Sequence, residues 1–373
     1  MSMRPRALRL GDDARFRTLV GVGGIGTGIF LALEGDHLLG RNESRQARLL
    51  DVRDYCKLHI VAHYVAVLLG ADPSGAPFHV VPVGRIGDDD AGSRLLEEMT
   101  AAGIDTLHVE RTAGRPTLFS VCFQYPDGSG GNLTTADSAA AAIDRRDIDH
   151  ALPSLTSAGD LGIALALPEV PLETRRHLLE LGTAHRAFRV AAFTTSEIPE
   201  ARAAGLLDLT DLLSVNEDEA AALAGRPFDP EDPEPSLERC IGALGAPDRD
   251  VRILVSAGRR GVFASAGERW DHCPTLTVPV ASTAGAGDAL LAGVLSALAV
   301  GVPFIEPGAR RTAMQDRPLS SALDLGVLLA AFSVTSPHTI HPDANLGTLL
   351  AFADEMGVTF SGALRRAVET PTG

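Results

Sequence analysis

Short, nearly unbroken apolar runs alternate along this chain with longer stretches of mixed polarity. Leu19 to Gly24, Phe78 to Val83, Leu161 to Leu167, Arg189 to Phe193, Leu212 to Val215 and Arg252 to Ser256 read as buried strands. Helical patterns fall between them: Cys56 to Gly70, Ala91 to Ala102, Leu172 to Leu181, Glu217 to Ala224 and Leu237 to Leu244. Gly103 and Gly225 follow two of these directly, as glycine does where a helix ends in a left-handed residue. Strands alternating with helices on this scale predict an α/β fold, a mainly parallel sheet covered on both faces. Ligands of such sheets bind beyond the carboxyl ends of the strands. Glu169, Asn216, Ser256 and Asp288 all follow predicted strands.

Thr117 to Tyr125 departs from this rhythm. Phe119, Val121, Phe123 and Tyr125 alternate with Leu118, Ser120, Cys122 and Gln124, giving one aromatic face and one more polar face. That pattern fits a strand covering a cleft. Pro126-Asp127-Gly128 reads as a turn. Residues 1–17 are charged and read as a frayed lead-in, and 302–318, rich in proline and charge, as a surface insertion.

The chain has 373 residues, 45% of them hydrophobic, enough for a large core. A net charge of −15 argues against nonspecific binding to nucleic acid or an anionic membrane. Lys57 is the only lysine and reads as the residue of a genome-wide preference for arginine; no P-loop G-x-x-x-x-G-K-[ST] exists. Cys56, Cys122, Cys240 and Cys273 are far apart, as in a reduced cytoplasmic protein, and no stretch has the length of a membrane span.

The strongest chemical signal is Ser282-Thr283-Ala284-Gly285-Ala286-Gly287-Asp288, followed by an apolar helical pattern. Small residues at a helix N-terminus leave bare N–H groups that attract phosphate. An aspartate there would repel a resting phosphate, but it has a role if it takes a proton from a hydroxyl attacking the phosphoryl group.

This segment resembles the D-T-x-G-A-G-D signature of the ribokinase-like (PfkB) carbohydrate kinases. Four further segments match that family in order: Val83 to Gly92, Glu169-Val170-Pro171-Leu172-Glu173, Asp211 to Ala220 with its N-x-x-E, and Ile253 to Gly261. The resemblance implies a ribokinase-like fold over residues 18–373, with a small β lid from segments at about 27–54 and 115–135. It implies transfer of the ATP γ-phosphoryl to a sugar or sugar derivative, with a nucleoside as the next acceptor class. Asp288 would be the general base, and the N–H groups of Gly285, Ala286 and Gly287 the anion hole. Asn216 and Glu219 would position Mg²⁺ through water; their spacing is equally that of a capping box. Ser256, Gly258, Gly261 and Thr283 would lie by the nucleotide, although the first two also read as an ordinary strand-to-turn junction. Glu169 would touch the acceptor, or serve as a helix-terminal charge. Lid strands of this family often pair between subunits, which allows a homodimer.

Two departures stand out. Ser282 replaces the signature's first aspartate. The family's Gly-Gly pair and asparagine, which hold the sugar ahead of a helix ending in Leu-Gly, are missing from Tyr55-Cys56-Lys57-Leu58-His59-Ile60. A catalytically reduced sugar-binding protein or sensor is therefore the rival of another class. A second rival is a dinucleotide fold, since Gly21-Val22-Gly23-Gly24-Ile25-Gly26 matches G-x-G-x-x-G, although no helix-to-strand rhythm follows.

Overall fold

The computed structural model describes residues 6–11, 14–126, 130–245, 250–308 and 311–369. Parts of the expected lead-in, of the turn at Pro126-Asp127-Gly128 and of the expected insertion lie outside the described residues. The strands are β1 (Thr18–Val22), β2 (Gly26–Leu33), β3 (Ala47–Tyr55), β4 (His79–Gly87), β5 (Val109–Thr112), β6 (Leu118–Gln124) and β7 (Gly130–Thr134). They continue with β8 (Gly162–Ala166), β9 (Phe188–Ala192), β10 (Leu212–Asn216), β11 (Arg252–Ser256), β12 (Val262–Ala266) and β13 (Arg269–Cys273).

Nine strands form one sheet in the order β13-β12-β11-β10-β9-β8-β1-β4-β5. Every pairing from β11 to β5 is parallel; β12 and β13 add an antiparallel edge. β1 and β8 are buried along their whole length, which is why they read as continuous apolar runs. Their side chains divide alternately between two helix layers. Leu19, Ile163 and Leu165 join the core with helices Lys57–Leu69, Ala286–Ala299 and Ala322–Ser333. Val20, Val22, Ala164 and Ala166 join the core with helices Arg145–Ala158 and Leu172–Ala184.

The other four strands form a small sheet, β3-β2-β6-β7, drawn from the two sequence segments read as a lid. Its register sorts the side chains. Asp54 faces Gly28, which faces Ser120, and Ser120 and Asp54 are buried. The other face carries Leu49, Leu31 and Phe123 in one row and Ile29, Val121 and Leu133 in the next. Leu49 and Leu133 are exposed.

Two stretches depart from the sequence reading. The lead-in is docked where it is described. The Leu8 N–H donates to the Leu68 carbonyl at 2.8 Å, and Leu8 and Phe16 are buried. Two apolar side chains among the charges anchor it. The stretch 302–318 is anchored as well, through buried Val302, Phe304, Ile305 and Met314 and a 2.7 Å ion pair from Arg311 to buried Asp324. The edge hairpin β12–β13 carries no strong period and was not legible. Among the described residues no helix is long and apolar enough to cross a membrane.

Helix Ala286–Ala299 matters most for the site. Every residue from Ala289 to Ala299 is buried, so its first turn has little freedom to move. It crosses helix Ala322–Ser333 through two glycines. A Cβ on Gly326 would lie 2.7 Å from the Leu290 carbonyl and 2.6 Å from the Val294 side chain. Gly326→Val is expected to cost about 1–3 kcal/mol through overpacking, read as a lower urea midpoint with an unchanged slope.

Candidate active site

Asp288 sits in the first turn of helix Ala286–Ala299, whose N-cap is Gly285. Gly285 is required twice over. Its φ is 80°, and a Cβ would stand 2.6 Å from the Thr339 carbonyl. The first intrahelical bond runs from the Ala289 N–H to the Gly285 carbonyl at 2.9 Å. The Gly287 and Asp288 N–H groups therefore precede the helical ladder. The Ala286 N–H makes a long 3.3 Å bond to the Thr283 carbonyl. No side chain shields Gly287, which is exposed. Ser282, standing where the signature has aspartate, accepts the Ala284 N–H on its hydroxyl at 3.2 Å and so still shapes the loop.

The partner of Asp288 is Lys57. Its Nζ lies 3.7 Å from Asp288 Oδ1, with 39% of the lysine side chain and 15% of the aspartate still open to solvent. Lys57 is the first residue of helix Lys57–Leu69, whose N-cap, Cys56, gives no side-chain cap. Glu169 supplies that function from a distant part of the chain. Its Oε2 accepts the Lys57 N–H at 3.2 Å. Glu169 stands just beyond β8 with φ at 77°, an uncommon backbone for a residue with a Cβ, and a Cβ on Gly24 would fall 2.2 Å from its Oε2. The helix-terminal charge expected of Glu169 thus acts on the N-terminus of a helix more than 100 positions earlier.

Asn216 and Glu219 form a capping box at helix Glu217–Ala224. Asn216 Oδ1 accepts the Glu219 N–H at 2.9 Å, and Glu219 Oε2 accepts the Asn216 N–H at 2.8 Å. Ser256 is the register neighbour of Asn216 at the end of the adjacent strand. Gly258 and Gly261 shape the turn that follows. Gly261 is a packing glycine, since a Cβ there would meet the Cys273 carbonyl at 2.2 Å, whereas Gly258 opens onto free space. Thr283 is exposed. Among the described residues no hydrogen bond or ion pair joins Ser256, Gly258, Gly261 or Thr283 to Asp288; the tight constellation is Lys57, Glu169 and Asp288.

Three participants escaped the sequence reading. Lys57 reads from composition alone as a by-product of arginine preference, although its place as a lone lysine at the start of helix Lys57–Leu69 is itself a signal. Asp54, at the end of β3, is buried beside the Cys122 thiol at 3.7 Å. Thr339 links the small sheet to the helix mouth. Its N–H donates to the Arg53 carbonyl at 3.2 Å, its hydroxyl accepts the Tyr55 N–H at 2.9 Å, and its own carbonyl crowds Gly285. No local pattern marks Asp54 or Thr339.

Burial governs the electrostatics. It pushes the Glu169 carboxyl up to about 7, with Lys57 pulling the other way and Asp288 adding to the rise. It pushes Asp54 up to about 6, against the Cys122 thiol and the Tyr55 amide. Asp288 and Glu219 are also raised by burial, and Lys57 opposes the rise in both. The Lys57 ammonium is raised above the ordinary lysine value, first by Asp288.

The G-x-G-x-x-G run is accounted for by packing. Gly21 and Gly23 make room for Leu58 and Leu167, and Gly26 for the Leu118 carbonyl. The chain passes from β1 into β2, so no helix N-terminus follows β1 to receive a pyrophosphate.

Residues 61–345 match the pattern of the pfkB family carbohydrate kinases. The chain is 28% identical over 293 residues to a 2-dehydro-3-deoxygluconokinase of Thermoproteus tenax, covering 73% of this chain and 81% of that one. It is 24% identical over 215 residues to a ribokinase of Staphylococcus aureus (strain COL), covering 57% of this chain and 67% of that one. The fold superposes on the Arabidopsis thaliana ribokinase solved with ribose and ATP, with a TM-score of 0.66, 20% identity, and coverage of 90% and 98%.

The raised carboxyls set a pH dependence of stability. In the unfolded chain Glu169 releases its proton near 4.5, in the fold near 7. Between those values the unfolded state gives up protons first, so stability falls as pH rises. Glu169→Gln is expected to flatten the decline in melting temperature from about pH 4.5 to about pH 7, measured by thermal denaturation across that range.

Proposed function

Because the chain belongs to the pfkB family of carbohydrate kinases, we propose that it transfers the γ-phosphoryl of ATP to a hydroxyl of a sugar or sugar derivative, with Asp288 as the general base. The observation that carries this reading is the first turn of helix Ala286–Ala299. A half-buried carboxylate there stands next to N–H groups that precede the helical ladder. The acceptor hydroxyl gives its proton to Asp288 as its oxygen attacks the γ-phosphorus, and the bond from that phosphorus to the β,γ-bridging oxygen breaks, releasing ADP. The phosphoryl oxygens lie on the N–H groups of Gly285 and Gly287, with Ala286 contributing once it gives up its long bond to Thr283. Glu169 and Asp54 face the acceptor, and the small sheet is the lid over it.

ATP lies on the side of Asn216, Ser256, Gly258, Gly261 and Thr283. The donor set fits Mg²⁺ held through water. Glu219 spends Oε2 on its cap and leaves Oε1, an oxygen donor, while no group of three His, Cys, Asp or Glu residues could cage a metal among the described residues. The ion, when bound, neutralises charge on the ATP phosphates; Asn216 and Glu219 orient its water.

Turnover of ATP over a panel of sugars, sugar acids and nucleosides tests the reading. Asp288→Asn is expected to lower kcat by about 10²–10⁴-fold while ATP binding by calorimetry persists. Unchanged turnover in that variant would remove Asp288 from its role, and sugar binding without ADP release would favour the sensor.

The outer face of the small sheet supports a homodimer. Leu49, Leu133, Leu31, Ile29, Val121 and Phe123 share it, an unpaired apolar surface of the kind that marks association. Leu49→Asp with Leu133→Asp is expected to convert a dimer to a monomer in sedimentation velocity. A wild type that is monomeric at micromolar concentration would end this proposal.

A further inference from the structure

Lys57 has no role in the reading above, yet it is the one cation on which the site's acids converge. Its Nζ is 3.7 Å from Asp288, and its backbone N–H is held by Glu169. The acids around it come from separate elements: Asp54 from β3, Glu169 from the segment after β8, Glu219 from helix Glu217–Ala224 and Asp288 from helix Ala286–Ala299. Among the described residues Lys57 is the only cation acting on Asp288, and it opposes the burial of each of the other three. Among the described residues the remaining titratable groups facing the pair are Cys56, the N-cap of the lysine's own helix, and Tyr64 on that helix. Both are uncharged over the neutral range, because burial raises the Cys56 thiol well above its ordinary value and raises the Tyr64 phenol as well. Neither can replace the ammonium.

Sequence adds a second, independent observation. The chain holds one lysine and uses arginine for every other strong cation. It lies in the stretch where the glycines that leave room for a sugar are missing. An ammonium is a compact charge on a flexible stem, whereas arginine's planar fork is bulkier and prefers bidentate pairing. A site that must fit a cation beside a carboxylate at a crowded helix start favours the former.

We propose that Lys57 is a positioning residue of the phosphoryl-transfer site, the counter-ion on which the proton-accepting form of Asp288 depends. This rests on the reading of Asp288 as the base. Paired with Asp288 at its Nζ and fixed at its backbone N–H by Glu169, the lysine orients the Asp288 carboxylate and offsets the negative field that the surrounding acids present to an incoming triphosphate. An opposite charge at this separation holds a carboxyl lower by about 1–3 pH units than it would otherwise stand. Loss of the ammonium then protonates Asp288 at a pH where the wild type is active.

The test is the pH profile of kcat/KM for the wild type, Lys57→Met and Lys57→Arg, on the best acceptor of the panel. In Lys57→Met the acid limb is expected to move up by about 1–3 pH units, with partial recovery toward the wild-type limb in Lys57→Arg. A merely structural role would lower activity at every pH alike and leave the limb in place, and that result overturns the proposal. A second measurement needs no turnover. Reductive methylation with ¹³C-formaldehyde labels Lys57 as the sole lysine, apart from the chain's amino terminus. Pairwise coupling is reciprocal, so the Lys57 signal is expected to titrate at lower pH in Asp288→Asn than in the wild type. An identical midpoint in both also overturns it. If Asp288→Asn keeps full turnover the function reading fails; if that variant is inactive while the Lys57 limb stays fixed, only the present inference fails.

Discussion

The Asp288 carboxylate stands among other buried carboxyls, and among the described residues one ammonium, that of Lys57, is its countercharge. Burial raises Asp288, Glu169, Glu219 and Asp54 alike, because each loses water that stabilises its charged form. Lys57 opposes all four. Its place is set by the helix it begins, and that helix start is in turn held by Glu169. Lys57, Asp288 and Glu169 thus form one unit, joined through the lysine.

Much of the surrounding fold keeps that unit in register. Gly24 and Gly28 lack side chains where the Glu169 and Asp54 carboxylates lie. Gly285 lacks one where the Thr339 carbonyl comes closest. Thr339 also holds Arg53 and Tyr55 at the end of β3. Thr339 thus joins the end of β3 to the mouth of helix Ala286–Ala299. The helix itself is walled in by the Gly293–Gly326 crossing and by helix Lys57–Leu69, so its first turn responds as part of a rigid body.

The parallel sheet was legible because its strands are buried on both faces and so appear as bare apolar runs, as at β8 and β11. The capping box at Asn216 and Glu219, the Gly285 turn and the family's ordered motifs are likewise local patterns. The docking of residues 302–318 was less so, since a few apolar anchors such as Met314 are lost among prolines and charges. The hairpin β12–β13 was also missed: β12 is buried throughout with no alternation, and β13 mixes Arg269 and His272 with Cys273.

By itself the sequence determined the elements that depend on neighbours a few residues away: strand runs, helix caps, the small-residue turn before Asp288, and the family to which they belong. Tertiary structure alone decided that Lys57 meets Asp288, that Glu169 caps a helix from a distant segment, and that Asp54 is buried against Cys122. The physical reason is range. Caps and turns are satisfied by backbone groups within one turn of chain, whereas the charge state of a buried carboxyl depends on whichever groups the fold brings within a few ångströms.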